Sequence, residues 1–414
     1  MARRFAHILI VAVLMLMLML TTGTALAGGP TIRQKVYEKL SRAQEAVEAQ
    51  EYDKANRLLE DVAKYKDLSP NETAQLYNAF GYTYFNQERY ADAAQAYEKV
   101  LQQEDLAPVM RTGTLYTLGQ LHFHLENYDK ALSFLQDWLA VAENPSPEAY
   151  ILVGQAHYQL GQLAEAAAPV HKAIAVARER GREPQENWYA LLRVIYFDTK
   201  EYDKLLDVLE TLVTHWPAKE YWLHLSGAYG EMGDTDKQLA AYEMAHQQGY
   251  LQRSSELVLL AQLLLQAEVP YRAGVILQEG LDSGAIDSTA TNWRLLSQAW
   301  ILAQEHEAAI ASLRKAAQMG DDSELYARIA QSHANLGQWE QAAEVAATAI
   351  AKGVDDSQNM HMLRGMAFYE LNRFDQAKLA FAEAAKADAT RNTATKWLSY
   401  VEREEARLKD LGAR

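Results

Sequence analysis

The run Tyr77-Asn78-Ala79-Phe80-Gly81-Tyr82-Thr83-Tyr84, followed nine and thirteen residues past Tyr84 by Ala93 and Tyr97, decides the fold. Tyr77, Phe80, Gly81 and Tyr84 fall at i, i+3, i+4 and i+7, the spacing of one helical face. The same pattern returns as Leu115, Leu118, Gly119, His122, Ala131 and Leu135, and as Trp293, Leu296, Ser297, Trp300, Ala309 and Leu313. It appears again as Tyr326, Ile329, Ala330, His333 and Ala342. From about Thr31 to Thr390 the period is about 33 to 39 residues, the range of paired-helix repeats. No strand-like alternation of useful length interrupts it, so the chain reads as nearly all helix.

The order of aromatic, Leu-Gly, Tyr, then Ala and a large residue four positions on resembles the tetratricopeptide (TPR) repeat. Small residues Gly81, Gly119, Gly154, Ser226, Ala261, Ser297, Ala330 and Gly365 stand where the two helices of a repeat approach closest. Ala55, Ala93, Ala131, Ala166, Ala273, Ala309, Ala342 and Ala377 do the same on the second helix, with Leu205 and Gln238 as departures. Ten such positions imply about ten helix-turn-helix repeats in an all-α solenoid superhelix. Polar turns such as Gly161-Gln162, Gly233-Asp234 and Gly337-Gln338 join the helices of a repeat; Pro70, Pro108, Pro145, Pro147, Pro184 and Pro217 punctuate the joints between repeats. The solenoid is expected over 28–390. Residues 391–414 are expected to form a C-terminal capping helix, charged on one side through Glu402, Arg403, Glu404, Glu405, Arg407 and Lys409.

The first residues have the features of a secretory signal peptide over 1–27. Arg3 and Arg4 precede the apolar run Ile8 to Leu20, and Ala25-Leu26-Ala27 offers a cleavage site. Cleavage after Ala27 by the Sec route would leave a periplasmic chain beginning at Gly28. The 414 residues are 49% hydrophobic and 23% charged, with a net charge of −15 and no cysteine. That composition supports a folded core, excludes disulfides and thiolate metal sites, and argues against nucleic acid or anionic lipid as partners, both of which reward a basic footprint.

No phosphate loop, dinucleotide fingerprint, nucleophile elbow or His-Glu-x-x-His motif occurs, so neither an enzyme nor a cofactor or metal site is expected. His122, His157 and His333 fall at the tyrosine slot of the repeat, where core packing is expected. Asp321, Asp322, Asp355 and Asp356 fall in turns as caps and solvated groups. The candidate site is the inner face of the first helices, a protein-binding groove of Tyr82, Phe85 and Asn86; Gln120, Phe123 and His124; Gln155, Tyr158 and Gln159; and Phe197. Aromatic rings there alternate with amides and lysine is absent, a surface for apolar anchors and backbone pairing rather than for a terminal carboxylate. Arg193 takes the small-residue slot of its repeat. Two readings of it stay open: a shifted repeat that lets the guanidinium reach solvent or Glu186, or a functional break in the superhelix.

The stretches Glu186-Asn187-Trp188-Tyr189 through Leu191-Leu192-Arg193, Tyr221-Trp222 through Leu225-Ser226-Gly227-Ala228-Tyr229-Gly230-Glu231, and Val269-Pro270-Tyr271-Arg272-Ala273 resemble exported TPR proteins that accompany TonB-ExbB-ExbD energy-transduction systems of Gram-negative bacteria. That resemblance implies a periplasmic scaffold, accessory to TonB-dependent uptake across the outer membrane, with components of that complex as partners. The alternative is an adaptor for cell-wall or outer-membrane assembly, where exported TPR proteins also serve.

Overall fold

Every first helix of a pair ends in the same turn. The residue five places past the tyrosine slot donates its N–H back to that slot's carbonyl, as in Arg89 to Tyr84 (2.9 Å), Asn127 to His122 (2.8 Å), Gln162 to His157 (2.9 Å), Glu201 to Tyr196 (2.9 Å) and Arg373 to Phe368 (2.8 Å). This 6→1 bond is the Schellman closure, which needs a left-handed residue just before it. That residue is glycine at Gly161, Gly233 and Gly337, but Gln50, Glu88, Glu126, Lys200, Glu268, Gln304 and Asn372 elsewhere. One such residue stands in each of ten repeats. The polar turns of the sequence are therefore one turn type, adopted even where no glycine relieves the left-handed strain.

The computed structural model describes residues 32–320 and 322–412. The expected signal peptide with its cleavage site after Ala27, and Asp321, lie outside the described residues. The described chain has helices and connecting turns and no strand. It forms two compact units, one ending at Trp216 and the other beginning at Pro217.

The first unit holds five pairs. They are α1 (Gln34–Glu48) with α2 (Tyr52–Ala63), α3 (Pro70–Asn86) with α4 (Tyr90–Leu101), α5 (Pro108–His124) with α6 (Tyr128–Val141), α7 (Pro147–Gln159) with α8 (Leu163–Glu179), and α9 (Glu186–Asp198) with α10 (Tyr202–His215). The second unit holds α11 (Lys219–Glu231) with α12 (Thr235–Gln247), α13 (Ser254–Gln266) with α14 (Pro270–Ser283), α15 (Ala290–Leu302) with α16 (His306–Met319), α17 (Ser323–Asn335) with α18 (Trp339–Ala351), and α19 (Ser357–Glu370) with α20 (Phe374–Ala384). A final helix, α21 (Asp388–Gly412), follows. This is the all-α solenoid of about ten repeats that the periodicity predicts.

Prolines start helices as their missing N–H allows. Pro70, Pro108 and Pro147 occupy the first turns of α3, α5 and α7, and Ser69 and Ser146 cap two of those helices with their hydroxyls. Asp322 and Asp356 cap α17 and α19, as expected of them.

The small slots set how closely the paired helices cross. A Cβ on Gly81 would lie 2.7 Å from the Tyr97 ring, one on Gly119 2.7 Å from Leu135, and one on Gly154 2.7 Å from Val170 and 3.0 Å from the Ala166 carbonyl oxygen. Large side chains of the second helix thus rest directly on the backbone of the first. Gln238, where the pattern asks for alanine, is explained by a neighbour: a Cβ on Gly230 would lie 2.6 Å from its amide nitrogen. Gly230 therefore makes room for a long side chain that an alanine in the same slot would not have needed. Ser226, in the slot itself, donates to the Gln238 carbonyl at 2.9 Å.

The two units repeat one polar joint. Glu72, at the third position of α3 and 2% exposed, accepts from the Arg33 side chain (2.8 and 2.7 Å), the Arg33 N–H (3.0 Å) and the Ser69 N–H (3.0 Å). Glu256, at the third position of α13, accepts from Lys219 (2.7 Å) and from the N–H groups of Gln252 and Arg253 (3.1 Å each). Each joint ties the first repeat of a unit to its second.

Candidate functional site

The rings of the candidate groove stand in the last turns of α3, α5, α7 and α9, just before the Schellman turn. That turn reverses the chain and brings the first residue of the second helix onto the ring: Phe85 meets Tyr90 edge-on at 5.5 Å, and Phe123 meets Tyr128 edge-on at 5.2 Å. Tyr90 also reaches the next repeat, where its ring packs edge-on against His124 at 4.4 Å. Phe85, Tyr90 and His124 thus form a continuous aromatic ladder from one repeat to the next, the geometry in which ring pairs are favourable.

The last ring of the series is the exposed one. Tyr82, Phe85, Asn86, Gln120, Phe123, His124, Gln155 and Tyr158 are half-buried, Gln159 is exposed, and Phe197 is 61% exposed. Phe85 and Phe123 also lean on the cores beneath them, with Ala93 and Tyr97 in one case and Leu132 and Leu135 in the other. Their rings are therefore shared between core and surface. Phe197 is the one large ring of the series that chiefly faces solvent.

The polar members are partly engaged. Asn86 donates to the Tyr82 carbonyl one turn back at 2.8 Å, and Tyr158 donates its hydroxyl across to the Asp198 carboxylate of the next repeat at 3.2 Å. Burial pushes the Tyr82 phenol above its ordinary value. Burial, with the neighbouring Asp198 charge, does the same for Tyr158. These hydroxyls therefore stay protonated donors throughout the physiological range.

The histidines of the tyrosine slot serve packing. His122 is 4% exposed, stacks on Phe134 at 5.4 Å and meets Glu98 at 3.1 Å. Burial lowers its pKa despite that carboxylate. His333 is buried and His157 half-buried, each paired with the glutamine five residues on, at 2.6 and 2.7 Å. Arg193 is half-buried in its slot, and Leu205 opposite is 2% exposed.

Tyr90, Tyr128 and Asp198 join the groove without having been singled out from the sequence. A signal for the tyrosines was present: an aromatic five residues past the inner-face ring recurs in Phe85 and Tyr90, and in Phe123 and Tyr128. Among the described residues no three His, Cys, Asp or Glu side chains converge as metal ligands, and no helix is long and apolar enough to cross a membrane. What the arrangement offers is a row of rings, amides and phenol donors.

The pattern described as "Tetratricopeptide repeat" matches residues 40–111, 79–146, 116–181 and 328–392, together half of the chain. No curated protein is similar in sequence. Among solved structures, MamA is 21% identical over 40% of this chain and 92% of its own, with a TM-score of 0.34. A tetratricopeptide repeat protein from Parabacteroides merdae is 16% identical over 72% of this chain and 99% of its own, with a TM-score of 0.36. The APC/C hetero-tetramer Cut9-Hcn1 is 12% identical over 88% of this chain and 83% of the matched one, with a TM-score of 0.30.

Proposed function

We propose, from the premise that this chain belongs to the tetratricopeptide repeat family, that it is a non-catalytic scaffold that holds a protein partner on the inner face of its first unit. The observation that carries the reading is Phe197, a large ring 61% exposed at the end of a series whose other rings, Phe85, Phe123 and Tyr158, stand at the same position of successive first helices. A solvent-facing ring in a row of half-buried ones is where a partner's apolar surface gains most by covering it. Gln120, Gln155 and Gln159 beside the rings supply amide groups for a partner's backbone. Such a face needs no charge on the partner, which suits a protein of net charge −15.

The signal-like first 27 residues support export to the periplasm. The three distinctive stretches support a partner among the periplasmic segments of a TonB-ExbB-ExbD complex. The test is direct binding of purified ExbD and TonB periplasmic segments to the chain and to its Phe197→Ala and Phe123→Ala variants. Anchors in such grooves are worth about 2 kcal/mol or more, so each variant should weaken a micromolar complex about tenfold or more. Melting should hardly change for Phe197→Ala. No binding by the parent chain rejects the partner; normal binding by both variants rejects the groove. N-terminal sequencing of the fractionated protein tests export, with Gly28 expected first.

A further inference from the structure

The last helix overruns the body that it closes. α21 has 25 residues and is about 37 Å long, whereas the first helices of the second unit, with 13 or 14 residues each, are about 20 Å long. Its first half packs as a repeat helix does. Trp397 stacks on Phe381 at 5.4 Å, the Tyr400 hydroxyl meets that of Tyr369 at 3.2 Å, and Val401 is fully buried. Lys378 of α20 still reaches Glu405 at 3.0 Å. From Ala406 to Gly412 every residue is exposed. Ion pairs along the helix, Arg407 with Glu404 and Lys409 with Glu405, keep that end wound. A helix that ends a solenoid is expected to show water a polar outer face. This one shows Tyr400, 43% exposed, and Leu411, 55% exposed, with Leu408 beside them.

Tyr400, Glu404, Arg407 and Leu411 fall at i, i+4, i+7 and i+11, on one stripe of the helix. From either end the stripe runs apolar, charged, charged, apolar, and its two charges are opposite. A two-fold contact requires a patch in which each residue faces one that faces it in return. This stripe satisfies that requirement when two copies run antiparallel: Tyr400 lies opposite the partner's Leu411, and Glu404 opposite the partner's Arg407. Parallel copies in register would instead set Glu404 against the partner's Glu404. We propose that the end of α21 pairs antiparallel with α21 of a second copy, so that the chain is a homodimer through its second unit. Tyr400 and Leu411 cover each other's exposed apolar surface there, and the two contacts between Glu404 and Arg407 fix the register. The exposed ion pair inside each helix is weak, and its groups can serve both neighbours. The aromatic groove of the first unit takes no part. Two helix ends bury less than the roughly 1,200 Å² of a stable interface, so the dimer is weak, with a dissociation constant on the order of 10–100 μM.

Sedimentation equilibrium of the full chain, from about 1 μM to about 300 μM, should show exchange between monomer and dimer. Leu411→Asp should weaken the dimer at least about tenfold and leave the melting temperature in place, because the residue is exposed and outside the core. Glu404→Arg alone and Arg407→Glu alone should each weaken it at least about tenfold, since like charges then face each other. An equimolar mixture of those two variants should dimerise within about threefold of the parent, although the ion pair inside each helix stays broken. That recovery separates a contact between copies from fraying of the helix end. Single cysteines read the direction, since the sequence has none. Oxidising a mixture of Tyr400→Cys and Leu411→Cys chains should join unlike chains. Leu411→Cys alone should not cross-link, because the two copies of that position lie about 16 Å apart along the axis. A chain that stays monomeric throughout, a dimer indifferent to Leu411→Asp, no recovery in the mixture, or cross-linking of Leu411→Cys to itself each overturns the proposal.

Discussion

In the first unit the slot facing the partner helix is glycine in three consecutive repeats, Gly81, Gly119 and Gly154, with Tyr97, Leu135 and Val170 lying against the bare backbone. In the second it is Ser226, Ala261, Ser297 and Ala330 before glycine returns at Gly365, against Phe381. There the serines are 2% and 1% exposed and satisfy their hydroxyls on backbone carbonyls, Ser226 on Gln238 at 2.9 Å and Ser297 on Arg294 at 2.7 Å. One helix crossing is thus reached by two means: removing a side chain so that a large neighbour can settle, or keeping a small polar one and bonding it. The joints differ in the same spirit. Each carboxylate also takes two backbone N–H groups, but an arginine fork grips Glu72 in the first unit, whereas a lysine point charge grips Glu256 in the second.

The largest expected break in this comparison is Gly154→Leu. The added atoms meet not only the Val170 methyl but the Ala166 carbonyl oxygen at 3.0 Å, which is backbone and cannot swing aside. Overpacking of this kind costs about 1–3 kcal/mol or more. In a chain of stacked repeats the damage should begin locally, so amide hydrogen exchange should rise first in α7 and α8 and only weakly in the second unit. Uniform loss of protection across both units would defeat the repeat-by-repeat picture.

Glu72→Gln comes next. The Arg33 side chain, with the N–H groups of Ser69 and Arg33, holds the Glu72 carboxyl down at about 2. A carboxylate depressed in the folded state contributes stability that is present above its unfolded value, about 4.3, and lost as the pH falls toward about 2. Urea midpoints at pH 7 should therefore be lower for the variant, by an amount in the range of a lost buried polar partner, about 1–3 kcal/mol. The gap should close between pH 5 and pH 2. The matching carboxylate Glu256 behaves alike in sign: burial alone would raise it, but Lys219 and the two backbone N–H groups bring it below its ordinary value. Its variant should show the smaller gap. Parallel curves for parent and Glu72→Gln across that pH range would mean that the arginine fork contributes nothing.

Ser226→Ala should cost about 1 kcal/mol, the worth of one net hydrogen bond. The cavity is negligible and Gln238 keeps its place above Gly230. A melting temperature equal to the parent's would show the serine slots of the second unit to be merely small. The smallest expected effect has the opposite sign. Glu126 holds the left-handed turn position at φ 61° where Gly161 stands one repeat later at 70°. Glu126→Gly should relieve side-chain strain of about 1 kcal/mol, offset in part by the freer unfolded chain, for a net gain of about 0.5 kcal/mol. Gly161→Ala should lose a comparable amount. Thermal melts of the two variants decide it.

The periodic slots were legible because they report a contact that every repeat must make in the same way. A glycine or alanine at a fixed spacing can be read without knowing what lies opposite. Gln238 was legible only as a departure, since the glycine that accommodates it sits on the other helix of the pair. The inner-face rings were legible as a series, but the share of each ring given to core and to solvent was not. Phe123 and Phe197 look alike in the sequence, and only the packing of Tyr128 and Leu135 on Phe123 separates a half-buried ring from one that is 61% exposed.

By itself, then, the sequence determined the all-helical class, the number of repeats and the small slots, because these rest on local periodicity and on steric limits within one repeat. The tertiary structure alone decided the pairing of Arg33 with Glu72 and of Lys219 with Glu256, and the ladder from Phe85 through Tyr90 to His124. Each of these joins residues of different repeats. Their distance in space depends on how successive pairs stack, which no spacing along the chain encodes.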